Sequence, residues 1–234
     1  MNWGAIIVAA GRGTRLNQPK QLLEIAGTPL AGWCMQTFAQ IAEISDIVVV
    51  TEPDMLERMH TLAEEIFSGT SSERPHAKPF TVVIGGATRQ ESVRRGLDAL
   101  PERCAAVLIH DGARPLVRAN DVRAGMAEVR TGRASLLAVS CVDTIKVVDG
   151  ERMTVLQTPD RTTLWAAQTP QFAMTSDLRR AHERATADGI VATDDTALLE
   201  RIGIEVAIVP TTSANFKVTR PEDLALAAAF LANE

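Results

Sequence analysis

The chain has 234 residues, 46% hydrophobic and 23% charged, and 24 Lys and Arg set against 29 Asp and Glu give a formal net charge of −5. That length suits one large domain or two small ones, with roughly 70–75% of the unfolded surface buried on folding. An acidic balance with a pI near 5.5 argues against nucleic acid as the main partner, and no apolar run approaches the roughly 18 residues of a membrane span.

The run Ala5-Ile6-Ile7-Val8-Ala9 reads as a first buried parallel strand. It empties into Ala9-Ala10-Gly11-Arg12-Gly13-Thr14-Arg15-Leu16-Asn17-Gln18-Pro19-Lys20-Gln21. Small residues there expose backbone N–H groups and admit a bulky anion. Arg12, Arg15 and Lys20 add three positive charges within nine positions, and no acid precedes Glu24. A dinucleotide loop would need a small residue where Leu16 stands, and Pro19 would interrupt its helix. A Walker A loop needs Gly-Lys-Ser/Thr, which is missing. What remains is a long basic loop suited to wrapping a triphosphate; its bland alternative is a solvated basic turn.

A helix is expected over Pro29–Glu43, with Leu30, Trp33, Cys34, Phe38 and Ile41 on one face. A strand follows over Asp46–Thr51, a helix over Pro53–Phe67, and a polar surface loop over Ser68–Pro79. Then come a strand Phe80–Ile84, Gly85-Gly86, a helix Arg89–Leu100, a strand Ala105–Ile109, a helix Asn120–Arg130 and a strand Ser135–Ser140. Strands alternating with helices through short loops imply a parallel, doubly wound sheet, whose ligands sit beyond the carboxyl ends of the strands. There the first, third and fourth strands end in Ala10-Gly11, Gly85-Gly86 and His110-Asp111-Gly112-Ala113-Arg114, three polar loops outlining one site.

From Cys141 the pattern changes. Thr144–Val148, the turn residues Asp149-Gly150, and Met153–Thr158 read as a two-stranded hairpin. A hairpin is marginal alone in water, so it needs a partner surface. A dimerisation arm over residues 141–163, within a single domain spanning 1–234, is the preferred reading; packing on its own domain is the alternative. Helices over Ser176–Ala187 and Asp194–Arg201, a strand Glu205–Val209 and a helix Pro221–Leu231 complete the chain. Asp194-Asp195 reads as a helix start in preference to a ligand pair. Three widely spaced cysteines, Cys34, Cys104 and Cys141, without CxxC pairing, suggest a reducing, cytosolic compartment. Cys141, His60, His76 and His182 read as core or surface residues without a catalytic part.

Ala-Ala-Gly-x-Gly-x-Arg-Leu…Pro-Lys-Gln, Gly85-Gly86…Arg89-Gln90-Glu91-Ser92-Val93, His110–Pro115, Asp143–Lys146, Thr169–Gln171 and Asn215–Asp223 together resemble the 2-C-methyl-D-erythritol 4-phosphate cytidylyltransferases of the non-mevalonate isoprenoid pathway. The resemblance spans essentially the whole chain and implies a Rossmann-like nucleotidyltransferase fold with a protruding β-arm. It implies CTP and methylerythritol phosphate as substrates, while the homodimer is the expectation that the hairpin arm carries. Arg15 and Lys20 match the pair that stabilises negative charge on the α-phosphate. Ala10, Gly11, Gly13, Gly86, Ala87, Ser92, Asp111 and Gly112 match the CTP positions, and Thr144, Arg161, Thr169 and Lys217 the acceptor positions, Arg161 and Lys217 counted as catalytic. Magnesium is expected to ride mainly on the triphosphate, with Asp111 a possible contact; a helix-capping part is the bland reading of Asp111, a first-turn hydroxyl that of Ser92, and a salt-bridge partner that of Arg114. Other readings are a ribitol 5-phosphate cytidylyltransferase, sharing the CTP half-site, and a nucleotide-sensing module without turnover, which would be expected to lack Lys20 or Arg15. A dinucleotide oxidoreductase is disfavoured by Leu16 and Pro19.

Overall fold

The computed structural model describes residues 1–11, 20–68 and 77–232. Strand β1 is Trp3–Val8; a 3-10 turn at Lys20–Leu22 leads to the two-residue strands β2 (Glu24–Ile25) and β3 (Thr28–Pro29), paired antiparallel. Helix α1 (Leu30–Ala39), β4 (Ile44–Thr51), α2 (Leu56–Phe67), β5 (Phe80–Ile84), α3 (Arg89–Ala99) and β6 (Ala106–Asp111) follow. Then come α4 (Ala119–Arg130), β7 (Ala134–Ser140), the hairpin β8 (Val147–Asp149) and β9 (Thr154–Gln157), β10 (Trp165–Met174), α5 (Thr175–Ala187), α6 (Asp195–Arg201), β11 (Val206–Pro210) and α7 (Pro221–Leu231). Gly13 and Arg15 lie outside the described residues, as does most of the expected loop at 68–79.

The main sheet has the order β11-β7-β10-β6-β1-β4-β5. Its pairs are parallel except those of β10, which runs antiparallel to β6 and β7. Strand alternation sorts the core into two layers. Trp3, Ala5 and Ile7 of β1 pack with α1, α2 and α4, whereas Ile6 packs with α3, α5 and α6 on the other face. Near-continuous apolar runs such as Ile47–Val50 are therefore buried on both sides. The helices sit close because glycines face the sheet: a Cβ on Gly96 would meet Ile6 Cγ2 at 2.6 Å, and one on Gly125 would meet Phe172 Cε2 at 2.2 Å.

Three strands depart from the sequence expectation: the short pair β2 and β3, and β10 in the main sheet. β10 contains Pro170, a residue that cannot donate to a ladder, and its register with β7 breaks between Ala167 and Gln171, around that proline. A third apolar cluster (Ile25, Leu30, Ala113, Leu116, Val218 and Ala227) ties β2, the β6–α4 loop and α7 together at the carboxyl edge of the sheet. Pro221 opens α7, and Asp223 Oδ2 accepts from the Thr219 and Arg220 N–H groups at 2.7 and 2.8 Å. That cap fixes the chain leading out of Lys217. The hairpin is exposed along its length, with Val155 58% and Leu156 66% accessible.

Candidate nucleotide site

A cavity of about 530 Å³ opens beyond the carboxyl ends of β1, β5 and β6, the size range of small-ligand sites. Ala10 and Gly11, Lys20, Gly86 and Ala87, Ser92, Asp111 and Lys217 line it, together with Arg89 and Glu52. Local chemistry explains how the walls meet. Gly85 permits the β5 loop to touch the β1 loop, since a Cβ there would lie 2.6 Å from Ala10 Cβ and 2.8 Å from Ser92 Oγ. Ser92 Oγ accepts from the Gly86 N–H at 3.0 Å and donates to Thr88 O at 2.9 Å, so its hydroxyl fastens the loop back on α3. The Ala87 N–H donates to Glu91 Oε2 at 2.9 Å, and Arg95 grips both Glu91 Oε1 and Gly85 O. Thr88 caps α3 by accepting from the Glu91 N–H at 3.0 Å.

Asp111 ends β6 and is the electrostatic hub. Lys217 Nζ lies 2.8 Å from its Oδ2, and Arg89 Nε lies 3.0 Å from its Oδ1. Burial alone would raise this carboxyl; the charges of Arg89 and then Lys217 outweigh it and hold it well below the usual carboxylate range. Asp111 is thus an ion-paired anion, and its helix-cap reading is set aside. Arg89 also places Nη1 2.9 Å from Asp195 Oδ2. Burial works against its charge, but Asp195 and Asp111 together raise its pKa.

The support beneath Asp111 is fully satisfied. Its N–H donates to Thr169 Oγ1 at 3.0 Å, and Thr169 Oγ1 is 3.1 Å from His110 Nδ1. His110 Nε2 lies 3.0 Å from the Arg114 carbonyl, which only accepts, so the proton sits on Nε2 and the Thr169 hydroxyl donates to Nδ1. Burial holds the His110 pKa down at about 4.

Lys20 Nζ donates to Val218 O at 3.0 Å, and the Val218 N–H donates to Ala113 O at 2.8 Å. The first and last segments of the chain are thereby stitched over the β6 loop. Lys20 and Lys217 line the cavity opposite Glu52, with Arg89 paired to Asp111 and Asp195 between them, and the two lysines are able to receive a phosphate chain.

The sequence-expected residues divide as follows. Ala10, Gly11, Lys20, Gly86, Ala87, Ser92, Asp111 and Lys217 are brought together. Gly112 is adjacent, its N–H committed to Val8 O at 2.9 Å. Thr169 is buried beneath Asp111 and Arg114 donates to Asn215 O at 2.8 Å. Thr144 and Arg161 are exposed on the hairpin segment, away from the cavity lining of their own chain. Asp194 starts α6, as expected, by accepting from the Ala197 N–H at 2.9 Å. Arg89 has no part in the expectations from sequence, although it opens the Arg89–Val93 motif; a cation at the first position of a helix after a Gly-Gly loop is the signal that marks it. Among the described residues, no three His, Cys, Asp or Glu side chains are grouped to cage a metal. Magnesium does not need such a cage when phosphates supply oxygens, and the ionised Asp111 carboxylate at the mouth fits it.

A sheet of this topology, with cations gathered on a glycine-lined cavity at its carboxyl edge, belongs to the nucleotidyltransferase class. The chain matches the family described as IspD, 2-C-methyl-D-erythritol 4-phosphate cytidylyltransferase, over residues 4–233. A relative of that name from Caldanaerobacter subterraneus subsp. tengcongensis is 40% identical over 233 residues, covering 99% of each chain. Another from Streptomyces coelicolor is 43% identical, covering 97% of this chain and 84% of the relative. The crystal structure of 4-diphosphocytidyl-2C-methyl-D-erythritol synthase from Anaerococcus prevotii superposes with a TM-score of 0.86 at 28% identity, covering 99% of this chain and 96% of that one. The chain belongs to the IspD family.

Proposed function

We propose that the chain transfers CMP from CTP to 2-C-methyl-D-erythritol 4-phosphate, giving 4-diphosphocytidyl-2-C-methyl-D-erythritol and pyrophosphate. The relatives' names supply the substrates, and the convergence of Lys20, Lys217 and the paired Asp111 in one cavity carries the reading. An oxygen of the acceptor phosphate attacks the α-phosphorus in line. The bond to the bridging oxygen breaks, and its electrons leave with pyrophosphate. Such a reaction needs alignment and charge stabilisation more than covalent help.

Each residue follows from that demand. Arg15 and Lys20 stabilise the charge that grows on the α-phosphate. Ala10, Gly11 and Gly13 offer the small loop around which the triphosphate wraps. In the Gly86–Ala87 loop both N–H groups are taken by Ser92 and Glu91, so the loop offers a base carbonyl oxygens. Carbonyls suit the exocyclic amine of cytosine and repel the carbonyl that uracil carries there. Asp111, with Gly112 beside it, faces the ribose hydroxyls or the metal. Lys217, Thr144 and Arg161 take the acceptor and its phosphate, while Thr169, buried with its hydroxyl shared between His110 and the Asp111 N–H, supports Asp111 from beneath and not the acceptor directly.

Magnesium bound by the CTP phosphates and Asp111 would neutralise charge on the leaving pyrophosphate. The chain acts as one nucleotidyltransferase domain, residues 1–234, and the arm of residues 141–163 joins two copies into a homodimer. The exposed apolar residues of β8 and β9 support that arm, as does the placement of Arg161 outside its own cavity. The cysteines are unpaired, in keeping with a cytoplasmic enzyme.

The test is pyrophosphate release from CTP and magnesium with either methylerythritol phosphate or ribitol 5-phosphate. Turnover with the first acceptor and at least tenfold less kcat/KM with the second is expected. The reverse ranking would overturn the acceptor assignment, and no turnover with either would overturn the reaction.

A further inference from the structure

Asp195 lies outside the cavity lining and has no part in the chemistry above, yet it is 2% exposed and faces the charged centre. Two groups flank its carboxylate. Arg89 Nη1 is 2.9 Å from Oδ2, and His182 Nε2 is 3.8 Å from Oδ1. His182 is kept neutral, its pKa pressed to about 4 by burial first and by nearby arginine charge. Burial first, and then the charges of Asp111 and Asp194, push the Asp195 carboxyl up, and Arg89 is the cation that opposes this and so is its charge partner.

The backbone of Asp195 is held by hydrogen bonds. Gln171 Oε1 accepts from the N–H groups of Asp195 at 2.9 Å and Thr196 at 3.0 Å, while Gln171 Nε2 donates to Asp194 Oδ2 at 3.0 Å. Gln171 sits on β10 opposite Ile109 of β6, two residues before Asp111. A closed circuit results: β6 carries Asp111, Asp111 holds Arg89, Arg89 meets Asp195, and Asp195 returns through Gln171 to β6. The guanidinium presents its donors in a rigid planar fork, so seating one edge on Asp195 fixes the edge that reaches Asp111.

We propose that Asp195 is a positioning residue acting through Arg89, restraining that guanidinium on Asp111 so that it does not turn onto the nucleotide's phosphates. The proposal rests on the nucleotide reading of the cavity. Arg89 lines the cavity within reach of an incoming polyanion. Unrestrained, it would pair with ground-state CTP, lowering KM, and leave Asp111 poorly oriented, lowering kcat. Binding of that kind tightens the ground state without helping the transition state.

The experiment is steady-state kinetics in CTP for wild type, Asp195→Asn, Asp195→Glu, Arg89→Gln and Arg89→Gln/Asp195→Asn, with circular dichroism and thermal melting of each. Asp195→Asn is expected to lower kcat about tenfold and lower the CTP KM at least threefold. Asp195→Glu, which keeps the charge, should hold KM within twofold of wild type. In the Arg89→Gln background, Asp195→Asn should change KM less than twofold further. A merely structural part would reduce folded enzyme, lowering kcat with KM unmoved. That result, a raised KM, or the same KM change without Arg89 overturns the proposal. Should Asp195→Asn fail to fold, Asp195→Ser, a smaller neutral side chain, takes its place: a CTP KM lowered at least threefold supports the proposal, and an unmoved or raised KM overturns it. Absence of turnover by the wild-type chain is a separate failure, that of the nucleotide reading itself.

Discussion

Lys217 and Asp111 face each other at 2.8 Å across the mouth of the cavity, although 106 residues separate them in sequence. The pair brings the loop before α7 onto the end of β6. Lys217 is half-buried, with 39% of its side chain accessible, whereas Asp111 is nearly enclosed. Lys217 is therefore the partner able to turn toward an entering phosphate, while Asp111 keeps Arg89. Lys217→Ala is expected to lower kcat/KM for the acceptor by ~10²–10³, the usual cost of losing one preorganised charge. Steady-state kinetics in methylerythritol phosphate checks this. An effect confined to CTP would place Lys217 on the wrong substrate.

Ser92 holds the Gly86 N–H at 3.0 Å. Removing a buried partner costs about 1–3 kcal/mol, or roughly fivefold to 150-fold in an equilibrium. Ser92→Ala is expected to raise the CTP KM by about fivefold or more and to narrow the preference for CTP over UTP. The folded structure should survive, because the loop is also held through Glu91 and Arg95. Unchanged CTP and UTP constants in folded protein would contradict the loop's part in base selection.

Two buried histidines set a pH dependence of stability. His110 and His182 have pKa values near 4 in the fold, both pressed down mainly by burial, against an ordinary 6.5. Below 6.5 the unfolded chain takes up protons that the native state refuses. Stability is thus fully present above that value and is lost as pH falls toward 4, by about 2 kcal/mol per histidine between pH 7 and pH 5. Urea unfolding at the two pH values checks it; equal stabilities would contradict the buried, neutral state of both rings. His110→Gln should flatten the dependence by about half.

Arg161 is exposed at the base of the hairpin and does not line its own cavity. In a homodimer joined by the arms it would serve the partner's site. Lys20→Ala and Arg161→Ala proteins, each inactive alone, are expected to regain activity when mixed, since some heterodimers then carry one intact site. Subunit exchange shown by mass spectrometry without recovered turnover would contradict the shared site.

Much of this architecture was legible in the chain because local signals agreed. The apolar run before Gly11, the strand Phe80–Ile84 and the helix opened by Pro221 each carried period and punctuation together, and the structure has them. β10 was hidden because Pro170 contradicts a central strand, and only the register break around it, a property of pairing, accommodates the residue. The loops of the cavity were readable from their glycines and charges. Arg89 was not, because its importance comes from Asp111 and Asp195, which lie 22 and 106 positions away and meet it only in the fold.

Lys20 reaches over the cavity to Val218 O at 3.0 Å, and the account depends on its charge acting on the transferred phosphoryl group. Single-turnover kinetics of Lys20→Ala under saturating CTP, magnesium and methylerythritol phosphate tests that most directly. A fall in the chemical rate of at least ~10²–10³, with the fold intact by circular dichroism, is the expected result. A rate within threefold of wild type would contradict the account.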